Sequence, residues 1–133
     1  MISKKIKSSA VEKSDASNYM KRAKELIESM RNNLIMENWN AAVIDGVHAA
    51  ISANDAVIVS IAGKRCTSSH HIDAVELLKQ SLSKDMLPDL IRLRRIINIK
   101  SHVEYGPSLV TAKEAQRVAQ DAERLITWAE KFF

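Results

Sequence analysis

The stretch WNAAVIDGVHAAISANDAVIVSIAG, residues 39 to 63, most narrows what this chain can fold into. No proline interrupts it, its side chains are apolar on nearly every side of a helix, and Gly63 is a natural C-terminal stop. A helix that is apolar all round belongs inside something, either a bundle or a bilayer. Asp45, His48, Asn54 and Asp55 break the apolar run, which fits the central helix of a bundle and not a membrane span. The expectation is a buried helix from about residue 38 to residue 62.

Everything else must then pack around that helix. The chain has 133 residues, enough for one domain with a real core, and only 3 Gly and 2 Pro, which favours long helices. Residues 1–13 show no apolar periodicity and read as a mobile basic tail carrying Lys4, Lys5 and Lys7; residues 14–133 read as a single helical domain. Ser14 or Asp15 is placed to cap a first helix with the stripe Tyr19, Ala23, Leu26, Ile27, Met30 and Leu34. KRCTSSHH, residues 64 to 71, reads as a loop, with Ser68 or Ser69 capping a third helix that runs through Leu82. Asp85 and Pro88 suit the start of a fourth, which Gly106 and Pro107 end. The fifth opens on a Thr111/Glu114 capping box and carries Ala115, Val118, Ala122, Leu125, Ala129 and Phe132 on one face. The fold class is all-α, an up-and-down bundle of about five helices.

Several function classes fall away at once. A single cysteine, Cys66, excludes an intrachain disulfide, and with no secretory leader in view the chain is expected to be cytoplasmic, with no membrane partner. Cys66, His48, His70 and His71 match no metal-ligand spacing, so neither metal nor cofactor is expected. No glycine-rich phosphate loop is present, and two each of Trp, Tyr and Phe make no stacking platform. Trp39 and Trp128 read as packing or interface residues.

The fourth helix carries the chemistry. Between Asp89 and Glu104 stand three arginines and Lys100 with no acid, a basic stripe that suits a phosphate-bearing partner. At about 100° per residue, Leu90, Leu93, Ile96, Ile97 and Val103 form the core face, while Arg95, Asn98 and His102 share the polar one. Cleaving RNA without metal needs a base, an acid and a cation; His102 can serve as acid or base, Arg95 as the phosphate clamp and Asn98 or Tyr105 as orienting groups, with a symmetric dimer doubling the single histidine. Lys100 falls inside the apolar arc, where an unpaired charge is costly. Asp55 interrupts the apolar stripe of the second helix in the same way. The two misplaced charges are expected to meet, with Tyr105 or His71 sharing the network, either as a structural ion pair or as the lining of a polar pocket.

In four consecutive pieces the chain resembles the HEPN family, the higher-eukaryote and prokaryote nucleotide-binding domains. These are residues 16–65 with the Asn54–Asp55 pair, SSHHIDAVELL (residues 68–78), INIKSHVEYG (97–106) and LVTAKEAQRVAQDAERLITWAEKF (109–132). The resemblance implies a helical fold from about Asp15 to Phe133. Many HEPN proteins are metal-independent ribonucleases, often toxins paired with a nucleotidyltransferase antitoxin, and carry Arg, four to six residues, then His. Arg95 and His102 meet that motif at its limit, with Ile96 where a polar residue is usual. A second HEPN-like group has no cleavage motif and keeps residues that Asp55, His71, Lys100, Tyr105 and Gly106 match here. The reading preferred from sequence is this second one: a nucleotide- or RNA-associated binding module acting as a homodimer. A HEPN ribonuclease using Arg95 and His102 comes next, and a protein-interaction bundle third.

Overall fold

The computed structural model describes residues 5–82 and 87–133. Five helices make up nearly all of it: α1 (Ala16–Ile35), α2 (Trp39–Ala62), α3 (Ile72–Ser81), α4 (Leu87–Tyr105) and α5 (Ala112–Glu130). Helix α2 is the hub, packed against each of the others. It is long and apolar enough to cross a membrane, yet most of it is buried by the surrounding helices, as a core helix is. Asn38 precedes it, and Gly63 ends it in the left-handed region at φ 64°, a conformation open to glycine without a Cβ clash.

The apolar stripes predict the core closely. Ala23, Ile27 and Met30 of α1 are buried, as are Leu90, Leu93, Ile96, Ile97 and Val103 of α4 and Ala115, Val118, Ala122, Leu125 and Ala129 of α5. The capping box forms, with Glu114 N donating to Thr111 Oγ1 at 3.1 Å and Thr111 N donating to Glu114 Oε1 at 3.2 Å. The third helix ends at Ser81, one residue short of Leu82, and Asp85 lies outside the described residues.

Two expectations change. The segment read as a mobile tail is structured from residue 5: Ile6 is buried, and β1 (Ser8–Ala10) pairs antiparallel with β2 (Lys64–Cys66), Ser9 opposite Arg65. Bonds from Val11 N to Gly63 O (2.9 Å) and Thr67 N to Lys7 O (3.0 Å) extend the pairing at both ends. Three-residue strands are too short for a period-two signal, so the sequence pattern conceals them. The second change is at α3, where neither Ser68 nor Ser69 caps the helix. His71 occupies the N-cap without a side-chain cap bond, while Ser68 Oγ accepts from His70 N and donates to Asp73. Of the two alternatives for Trp128, packing holds: it is buried and packs edge-on against Phe132 at 5.2 Å. The exposed large apolar residues include Ile35, Met36, Tyr105 and Leu109, which flank the α1–α2 and α4–α5 turns. Val110 N donates to Asn40 Oδ1 across these turns, so the four lie at one end of the bundle.

Candidate functional site

Helix α4 runs between α3 and α5, and its polar residues divide between those neighbours. Toward α5, Arg95 makes a bidentate pair with Asp121, Nε to Oδ2 at 2.9 Å and Nη2 to Oδ1 at 2.7 Å. Asp121 is buried at 6% exposure, and the guanidinium closes over a carboxylate that makes no other ion pair among the described residues. His102 is exposed on the same flank, close enough to Glu114 of α5 to lower that carboxyl's pKa slightly, behind the larger effect of Thr111. Asn98 instead lines a cavity toward α3. The three residues expected on one polar face are therefore parted, because that face spans two grooves.

The rest of the basic stripe is neutralised in space by acids remote in sequence or just outside it. Arg92 pairs with Asp89 at 3.2 Å, Arg94 with Glu76 of α3 at 2.6 Å, and Lys100 with Glu104 at 2.9 Å. Sequence inspection between two acids sees only the cations.

Asp55 and Lys100 do not pair with each other. Lys100 Nζ bonds Glu104 Oε2, one turn along its own helix, and Asp55 Oδ2 accepts from Arg65 Nε at 3.2 Å. An i,i+4 carboxylate stands within a lysine's reach on its own helix, and Glu104 captures Lys100 there. Arg65 reaches Asp55 because the left-handed Gly63 turns the chain back along α2 and β1 fixes the returning strand. Glu104 was visible as an i+4 partner; Arg65 was hidden in what read as a loop. His48, the third residue the sequence argument missed, approaches Glu104 Oε1 with Nε2 at 3.1 Å. One carboxylate thus serves two side chains, and the bond from Lys100 first of all holds Glu104 below the ordinary carboxyl range. Lys100 Nζ also lies 5.8 Å from the centre of the exposed Tyr105 ring, a cation–π distance.

His71 joins the two ion pairs. It lines a cavity of about 270 Å³ with Ser69, Asn98, Lys100 and Ser101, and a second of about 250 Å³ with Asp55, Arg65, Thr67 and Ser68. Desolvation, then Lys100 and His48, lower the His71 pKa, so the imidazole is neutral at pH 7 and its ring nitrogens can both donate and accept. Burial raises the Asp55 pKa against the opposing pull of Arg65. Gly106 closes the far end of α4: its N donates to His102 O at 3.0 Å, and a Cβ there would stand 2.4 Å from that oxygen. The glycine after Tyr105 is thus a packing requirement. Among the described residues, no group of three or more His, Cys, Asp or Glu could hold a metal ion.

Around two cavities that share His71 the site offers cations, a carboxylate, hydroxyls, an amide and a neutral imidazole, groups able to hold a polar ligand. Comparison with curated proteins finds no match. The family model described as HEPN domain matches residues 16–132, nearly the whole chain, and with the five-helix architecture this makes the protein a member of the HEPN family.

Proposed function

We propose that this chain is a HEPN binding module that holds a phosphate-bearing ligand, RNA or a nucleotide, in the groove around His71, acting in the cytoplasm as a homodimer and without cleaving what it binds. The observation that carries the reading is that Lys100 lines the first cavity with Ser69, Asn98 and Ser101 and with no carboxylate in the lining, while His71 joins that cavity to the second. Lys100 is the phosphate contact, helped by the hydroxyls of Ser69 and Ser101 and by the positive end of α3, which begins beside them at Ile72. Its hold on Glu104 is exchangeable, because Glu104 keeps His48 as a second partner when a phosphate takes Lys100. The apolar end formed by Ile35, Met36, Tyr105 and Leu109 supports self-association.

The ribonuclease reading, with a nucleotidyltransferase antitoxin as partner, has less support. Arg95 would have to leave a buried carboxylate to meet a scissile phosphate. The experiment is fluorescence anisotropy of a labelled single-stranded RNA in EDTA, with a gel of the same samples, for wild type, Lys100→Ala and His102→Ala. The expected result is intact RNA, affinity lowered about tenfold in Lys100→Ala, the effect of roughly one charge-assisted contact, and no change in His102→Ala. The slope of log affinity against log salt should also flatten by about 0.7 in Lys100→Ala, one phosphate contact fewer on a single strand. Cleavage lost in His102→Ala would install the ribonuclease instead. A folded protein that holds neither RNA nor nucleotide would leave the protein-interaction bundle.

A further inference from the structure

The two cavities beside His71 differ in chemistry, and a phosphate suits only one of them. The first brings Lys100, Asn98, Ser69 and Ser101 to the ligand with no carboxylate in its lining. The second has Asp55 in its lining, which repels an anion, and apolar walls from Ile51 and Ala74. A mixed slot, with apolar walls and a donor and an acceptor side by side, is suited to a flat, neutral heterocycle whose edge presents the complementary pair. Each cavity alone is smaller than the roughly 300 to 1,000 Å³ usual for ligand clefts. A ligand that straddles His71 and uses both reaches that range.

Resting on the phosphate-binding reading above, we infer that the second cavity is a base-edge subsite selective for guanine. Arg65 commits its Nε to Asp55 and lies over the Tyr19 ring at 5.9 Å; its two terminal nitrogens, without a hydrogen-bond acceptor among the described residues, can donate to a carbonyl such as guanine O6. Asp55 accepts Arg65 on Oδ2 and, as a carboxylate, has acceptor capacity left for adjacent N–H groups. Among the common bases, guanine alone sets two neighbouring donors, N1–H and the 2-amino group, beside a carbonyl acceptor. Adenine and cytosine each offer one donor beside one ring-nitrogen acceptor, and uracil a single N–H between two carbonyls. The phosphate then lies in the first cavity on Lys100, and the His71 imidazole, common to both cavities, stands between base and phosphate.

The test is isothermal titration of the full chain with GMP, IMP, AMP, UMP and ribose 5-phosphate, in wild type and in Asp55→Asn. IMP keeps the O6 and N1–H of guanine but lacks the 2-amino group, so the wild-type comparison needs no variant that could misfold. The expected order puts GMP first, about tenfold tighter than IMP, a difference of one charge-assisted hydrogen bond. In Asp55→Asn the GMP preference should vanish while ribose 5-phosphate binds as before. Equal affinity for all four nucleotides, or preference for AMP or UMP, overturns the guanine subsite and leaves phosphate binding standing. RNA held with no mononucleotide bound does the same. If neither RNA nor any phosphate compound binds, both readings fall together.

Discussion

Arg95 and Lys100 are two cations on one helix, and they do different work. Arg95 is 55% exposed, but its guanidinium is fastened at two points to a buried carboxylate on another helix. Lys100 is 16% exposed, and its carboxylate belongs to its own helix and is shared with His48. On the reading proposed above, the exposed arginine is the structural residue, and the largely buried lysine is the one a ligand recruits. Exposure alone would rank them the other way. What decides is whether the partner acid would be stranded by the cation's departure: Asp121 would be, and Glu104 would not.

That contrast can be broken by substitution. Arg95→Ala should have the largest effect on stability, about 2 kcal/mol in urea unfolding. This is below the 3–5 kcal/mol of a fully buried pair, because Arg95 is more than half in water. Its effect on RNA affinity should be negligible, and a tenfold loss of binding with unchanged stability would invert the assignment. Lys100→Ala should show the mirror pattern, with less than about 1 kcal/mol lost in the same unfolding experiment, as for a single i,i+4 pair. A smaller and more diagnostic change is Glu104→Gln. Removing the competing carboxylate should raise RNA affinity about threefold at pH 7, the order expected for one screened charge pair. Unchanged or weaker binding in anisotropy would mean that Lys100 is not the phosphate contact.

The smallest expected effect is a pH dependence. The folded pKa of His71 lies below its unfolded value near 6.5, so the unfolded chain takes up the proton first. The stability His71 supplies is complete above pH 6.5 and is lost as pH falls through its folded pKa. Comparing wild type with His71→Gln in denaturant, the difference should shrink as the buffer is taken from pH 7.5 to 5. A difference that grows on acidification would mean that the imidazole gains an anionic partner in the fold.

Periodicity made the helices and their buried faces legible, because each α-helical stripe repeats often enough to stand out. Leu93, Ile96, Val118 and Leu125 could be assigned to the core from spacing alone. The polar groups were only half legible. Lys100 and Asp55 announced themselves as charges in apolar arcs, yet the partner of each had to be found in space. Glu104 was within reach of the i+4 rule. Arg65 required a left-handed glycine and a three-residue strand pairing, neither of which leaves a periodic trace. The direction argument also treated one polar face as one site, whereas α4 has neighbours on both flanks, and Asn98 and Arg95 face different ones. A helical wheel gives angles but not which helix lies at each angle.

The pairing of Ser8–Ala10 with Lys64–Cys66 bears on how this protein should be handled at the bench. The front of the chain looks dispensable by composition, and trimming it would be a natural step in preparing crystals or shortening an expressed protein. Residues 5–12 nevertheless brace the return strand from which Arg65 reaches back to Asp55. A shortened protein could keep its helical circular dichroism while losing the inner wall of one cavity. A negative binding result from such material would report on the missing brace and not on the protein, so assays belong on the untrimmed chain with any purification tag at the C-terminal end.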